Sequence, residues 1–104
     1  MSKSIMHRKD GTCYLCAKLH GGDFWHYEVL HEHHVIYGDW GALRDLSEHY
    51  GLKVYLCLPH HEDSKEAVHK NDKIRQMLCE DAQRAFEEHY PDLDFKTIFG
   101  KNYL

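Results

Sequence analysis

The sequence predicts one small α+β domain, and three observations predict it. Two short runs rich in aromatic and β-branched residues, 24–30 and 52–56, read as strands. A 3.6-residue apolar period over 72–90 reads as a long C-terminal helix. Cysteines and histidines recur at metal-ligand spacings, and a chain of 104 residues, with its modest core, gains from such a staple.

Taken in order, the polar and basic start (Lys3, His7, Arg8, Lys9) is expected to be a loose lead-in. Cys13-Tyr14-Leu15-Cys16 follows, a spacing that lets two thiolates face one tetrahedral ion across a tight turn. A redox pair with the same spacing belongs in a βαβ setting, which the surrounding residues do not suggest. Gly21-Gly22 marks a turn, and strand 24–30 has a pattern that can run on through 31–36. Tyr37-Gly38-Asp39-Trp40-Gly41 breaks it. Residues 42–50 carry Leu43, Leu46 and Tyr50 at helical spacing, with Gly51 as the stop.

The second strand ends in Cys57-Leu58-Pro59-His60-His61, around which the chain is organised. Residues 62–70 are expected to be helical in part, with Ala67 and Val68 turned inward. Asn71 or Asp72 can cap the long helix, whose apolar face reads Ile74, Leu78, Ala82, Ala85, Phe86 and His89, and Pro91 follows its end. The tail, 95–104, is too apolar to float and is expected to pack back on the domain. No linker or repeat divides the chain, so it reads as a single domain, 1–104, with a core over 11–70 and a helix and tail over 71–104.

The net charge of −4 excludes a protein that coats nucleic acid by bulk charge, though not an enzyme that touches it through a small patch. No apolar run approaches the roughly 18 residues of a membrane span, and no signal-peptide pattern opens the chain. The expectation is a cytoplasmic protein without a membrane partner. Thiols stay reduced in that compartment, which favours metal binding over disulfides. Cys13, Cys16 and Cys57 supply three thiolates for a structural zinc. His60 repeats the two-residue gap of the first pair and is the chosen fourth ligand, with His61 the alternative. Cys79 is expected to be a small half-buried hydrophobe at the edge of the long helix's apolar face.

Zinc does not account for His33, His34, His61 and His69. On a strand, His33 and His34 point to opposite faces, so one can bind a metal while the other does different work. His61 and His69 follow the second strand and can reach the same ion as His33 once the strands pair. Glu32 stands beside the pair as a candidate to orient an imidazole. His31 shares a strand face with His33, while His7, His20, His26, His49 and His89 read as ordinary core or surface groups.

The order Cys-x-x-Cys, His33-His34-Val35-Ile36, Leu56-Cys57-x-x-His60-His61 and a further His69 resembles an HNH nuclease with an integral zinc site. The resemblance spans residues 13–69, and the ending Phe99-Gly100-Lys101-Asn102-Tyr103-Leu104 is similar to small phage-encoded HNH-like proteins. It implies a zinc-stabilised ββα-metal core and hydrolysis of DNA phosphodiester bonds. By the same resemblance His33, His61 and His69 are implied ligands of a catalytic divalent metal and His34 is the general base. The second metal would be Mg, Mn, Ni or Zn, and an all-histidine site favours a transition metal. Phage or host replication or packaging proteins are implied partners. Two features depart from the family pattern: Leu52 and Lys53 stand where it has its middle Asn, and the gap from His61 to His69 is longer than usual. Arg44 is the first candidate for a phosphate contact, ahead of Lys53, Lys65 and Lys70. The rival readings are a zinc-binding nucleic-acid or protein adaptor that kept the fold without the chemistry, and a hydrolase of another phosphoester.

Overall fold

A computed structural model describes residues 3–7, 11–20, 29–37, 41–63 and 67–104. The expected turn at 21–23, strand residues 24–28, the break at 38–40, His26 and Lys65 lie outside the described residues. The element order is α1 (Tyr14–His20), β1 (His31–His34), α2 (Ala42–Tyr50), β2 (Lys53–Leu56), a π-helical turn (Pro59–Asp63), α3 (Asp72–His89) and α4 (Phe95–Phe99). The fold is thus a small α+β arrangement around a two-stranded antiparallel sheet. Among the described residues, no helix is long and apolar enough to cross a membrane.

The sheet register pairs His31 with Leu56, Glu32 with Tyr55, His33 with Val54 and His34 with Lys53. Side chains directly opposite one another share a face. One face therefore carries Glu32, His34, Lys53 and Tyr55, and the other carries His31, His33, Val54 and Leu56. All of β2 is buried. The amino-terminal residues, expected to be loose, instead bond to it and to the turn before it. Ser4 Oγ donates to the Lys53 carbonyl, Ile5 N–H to the Gly51 carbonyl at 2.9 Å, and Tyr55 N–H to His7 Nδ1 at 3.1 Å. The physical reason is that buried strand amides need partners, and this segment provides them.

The first Cys-x-x-Cys is not only a turn. Helix α1 starts within it, and Ala17 N–H donates to the Cys13 carbonyl at 3.2 Å. Residues three apart share a helical face, so helix formation aims both thiols one way.

Helix α2 ends at Gly51, whose φ of +76° is the left-handed conformation that favours glycine. A Cβ built there would clash with the Lys3 carbonyl oxygen. Gly51→Ala combines backbone strain with that clash. It is expected to lower stability by about 1–3 kcal/mol in denaturant titration. Just before this stop, Ser47 is fully buried. Its hydroxyl donates to the Ile36 carbonyl at 2.6 Å and accepts from the Ile36 N–H at 3.2 Å. That exchange fixes the rotation of α2 against the chain leaving β1.

Helix α3 is capped as expected, with Asn71 Oδ1 accepting from Lys73 N–H and Ile74 N–H at 3.0 and 3.1 Å. Its buried face runs through Leu78, Cys79, Ala82, Gln83 and Phe86. His89, assigned to that face from the sequence, is exposed and packs edge-on against Tyr90 instead. Cys79, expected at the edge, is fully interior at 1% exposure. The face is rotated because the tail covers it. Gln83 donates to Asn102 Oδ1 at 2.6 Å and accepts from Tyr103 N–H at 2.7 Å. Phe95 and Phe99 of the short helix α4, not foreseen as a helix, stack on each other and meet Phe86 edge-on. One buried cluster consequently runs from Cys13 to Phe99. Ala67 and Val68 are buried, as their sequence context suggests.

Candidate metal centres

The π-helical turn after β2 builds two adjacent clusters. His60 N–H and His61 N–H both donate to the Cys57 carbonyl, at 3.1 and 2.9 Å, and Val68 N–H donates to the His60 carbonyl at 2.8 Å. Consecutive side chains on this turn diverge, and His60 and His61 go to different neighbours.

His60 meets the cysteines. Its Nδ1 lies 3.6 Å from Cys13 Sγ, 3.3 Å from Cys16 Sγ and 3.3 Å from Cys57 Sγ, and the Cys16 and Cys57 sulfurs are 3.8 Å apart. Tetrahedral zinc with its usual bond lengths sets ligand edges of about 3.8 Å for S···S and about 3.5 Å for S···N. The measured edges fit. Cys13, Cys57 and His60 are buried, as a closed structural site requires. Burial pushes the Cys13 thiol up, with backbone hydrogen bonds from Cys57 and Cys16 acting against it. A bound cation would reverse that balance by favouring thiolate. The Cys13/Cys16/Cys57/His60 cluster could hold a metal such as zinc. Of the two candidates for fourth ligand, His60 is the one brought to the sulfurs.

His61 turns to the other cluster, where one nitrogen each from His33, His61 and His69 lies within 4.8 Å of the others. His61 Nε2 and His69 Nε2 are 3.1 Å apart. Ligands at about 2.0–2.1 Å on a tetrahedral ion would sit about 3.3 Å apart. The remaining nitrogens of two rings are engaged elsewhere: His61 Nδ1 with His31 Nδ1 at 2.8 Å, and His69 Nδ1 with the Tyr37 hydroxyl at 3.4 Å. Such outer contacts fix ring orientation and tautomer. His33 is 4% exposed, and its Nε2 is buried with no hydrogen-bond partner among the described residues. Buried polar atoms are almost always paired, so this orphan suits a metal ligand. The His33 pKa is lowered to about 3, first by burial and then by His61, His69, His34 and Arg75. His61 is lowered too, by burial and by His69, although Glu62 acts against this. Both effects favour the neutral imidazoles that bind metals.

On the opposite face of β1, His34 Nε2–H donates to Glu48 Oε1 at 2.9 Å. Glu32, the orienting carboxylate suggested by sequence, lies farther away at 3.7 Å. Lys53 Nζ joins the two acids, 3.0 Å from Glu48 Oε2 and 3.4 Å from Glu32 Oε2. Lys53 is therefore no phosphate contact: it is 1% exposed and ion-paired inside the domain. Burial alone would favour its neutral form, but Glu48 and Glu32 more than compensate and raise its pKa. Glu32, His34 and Glu48 also have metal-ligand proximity, but the Lys53 ammonium already supplies the cation there.

One cleft of about 280 Å³ unites these features, lined by Glu32, His33, His34, Tyr37, Arg44, His61 and His69. Arg44 is exposed on α2 at its rim, and Lys70 is exposed elsewhere on the surface. The sequence reading missed Glu48, Tyr37 and Arg75. Arg75 lies over the Tyr37 ring at 4.5 Å, and among the described residues its buried Nε has no hydrogen-bond partner. Only the i, i+1 placement of Glu48 after buried Ser47 signals its role, and Ser47 burial is itself a tertiary fact.

No protein-family model matches the chain, and no curated protein or solved structure matches it significantly.

Proposed function

We propose that the chain is a metal-dependent endonuclease of HNH type, with a zinc-stabilised ββα-metal core, that hydrolyses DNA phosphodiester bonds. The observation that carries this reading is the single cleft holding His33, His34, His61, His69 and Arg44 together. Residues separated by up to 36 positions (His33 to His69) have no core-packing need to converge there with a buried imidazole nitrogen that has no hydrogen-bond partner among the described residues.

His33, His61 and His69 would hold a divalent ion, which when bound neutralises the scissile phosphate and the leaving oxygen. His34 takes a proton from water at Nδ1, because Nε2 carries the hydrogen given to the acceptor-only carboxylate of Glu48. The water oxygen then forms the new bond to phosphorus as the phosphorus–oxygen bond to the leaving sugar breaks. The leaving oxygen acquires its proton from solvent. Arg44 lends positive charge at the rim for a non-bridging phosphate oxygen.

The test is nicking of supercoiled plasmid by zinc-loaded protein, with Mg, Mn, Ni and Zn supplied in turn. His34→Ala is expected to lower the rate about 10²–10⁴-fold, the usual worth of a general base, without releasing metal. Equal nicking by both proteins, or none by either with any metal, rejects the nuclease. Plasmid binding without cleavage favours the adaptor.

A further inference from the structure

The chain lacks the middle Asn of the family pattern, yet His34 has a firmly held partner. We infer that Glu48, clamped by buried Lys53, is a positioning residue that fixes the tautomer of His34 and so determines which of its nitrogens accepts the proton. This rests on the nuclease reading for its catalytic consequence, but its structural content stands apart from that reading.

The first support is chemical. An ionised carboxylate accepts hydrogen bonds and donates none, so a His34 nitrogen 2.9 Å from Glu48 Oε1 must carry the hydrogen. Nε2–H leaves Nδ1 with the lone pair. Without such a partner a neutral imidazole distributes its proton between both nitrogens, and part of the population offers the wrong one.

The second support is mechanical. Lys53 holds both oxygens of Glu48, at 3.2 Å for Oε1 and 3.0 Å for Oε2. Lys53 is directly opposite His34 in the sheet register and almost wholly buried. A buried ammonium that loses its carboxylate incurs a large desolvation cost, so the pair resists separation. Ser47, the residue before Glu48, is locked to both backbone groups of Ile36. The carboxylate is thereby fixed through its own contacts and through its helix. Glu32 adds a second carboxylate to Lys53 at 3.4 Å, so that one ammonium faces two acids and cannot be drawn wholly away from either.

A purely stabilising ion network would make a different prediction, and histidine tautomers can be read directly. In zinc-loaded, ¹⁵N-histidine-labelled protein, long-range ¹⁵N–¹H correlation spectra are expected to show His34 as one tautomer, protonated at Nε2. Glu48→Leu is expected to give a mixture of tautomers and a kcat reduced about 10–100-fold at unchanged KM, the range for losing an outer-shell partner. Glu48→Gln, whose amide oxygen still accepts, is expected to restore the single tautomer and most of kcat. The double variant Glu48→Leu/Lys53→Met removes both charges and guards against misfolding from a stranded ammonium; its His34 is expected to be mixed as well. A single Nε2–H tautomer in Glu48→Leu or in the double variant overturns the positioning role. A tautomer that responds as expected in a protein that never nicks DNA supports positioning and rejects the nuclease reading alone.

Discussion

Stripping metal from the Cys13/Cys16/Cys57/His60 cluster is expected to abolish the cooperative thermal transition and most of the far-UV dichroism. The cluster joins the start of α1, the end of β2 and the π-helical turn, three segments separated by up to 47 residues in the chain. Structural zinc supplies apparent binding energy of about 10–16 kcal/mol, against a whole-domain stability of about 5–15 kcal/mol. Without the ion, three sulfurs and an imidazole would be packed around a void in a small core. Cys57→Ser should behave like chelation even with excess zinc present, because a hydroxyl is a poor replacement for a thiolate on a borderline-soft ion. Since the ligands must lose protons to bind, affinity should also fall as pH is lowered. Unchanged melting and dichroism after treatment with a strong chelator would reject a structural metal at this cluster.

On the proposed nuclease reading, replacing His33 by Leu is expected to remove the second metal site and nicking while sparing the Cys13/Cys16/Cys57/His60 cluster. With three candidate ligands, loss of one should weaken metal binding by more than the 10–100-fold that follows loss of an outer-shell partner. Metal analysis should then find one retained zinc per chain and no second, exchangeable ion. Stability should respond differently from activity. In the metal-free second site the folded-state pKa of His33 is about 3, below the ordinary histidine value near 6.5. The unfolded chain therefore binds more protons between those values. The stabilising contribution is complete above pH 6.5 and is lost as pH falls towards 3. His33→Leu lacks this dependence and leaves no orphaned nitrogen. With zinc loaded and no second metal, the melting temperature of wild type relative to His33→Leu should drop from pH 7 to pH 5. A constant difference would show that His33 is not buried as a neutral base.

These two predictions rest on residues that local sequence made visible for different reasons. Cys13-x-x-Cys16 and Cys57-x-x-His60 are short-range spacings, and a tetrahedral ion has few ways to satisfy them. The alternation of side chains along a strand separates His33 from His34. Gly51 as a helix stop and Asn71 as a cap are likewise local chemistry, and both hold. The burial of Lys53 was not legible. A lysine at the start of a strand is ordinarily a surface charge, and only the packing of Glu32 and Glu48 on either side changes that. His89 falls outside the buried face because the tail packs against the Gln83 side of the helix and so rotates that face from the phase that periodicity gives.

By itself the amino-acid sequence determined the small α+β class, the long capped helix and the paired spacings Cys13-x-x-Cys16 and Cys57-x-x-His60, because each depends on residues within a few positions of one another. Tertiary structure decided between His60 and His61 as the imidazole at the sulfurs, and it alone brought Glu48 to His34 and Lys53 between the two acids. Those outcomes depend on how β1, α2 and the π-helical turn dock, and docking is set by the burial of side chains far apart along the chain.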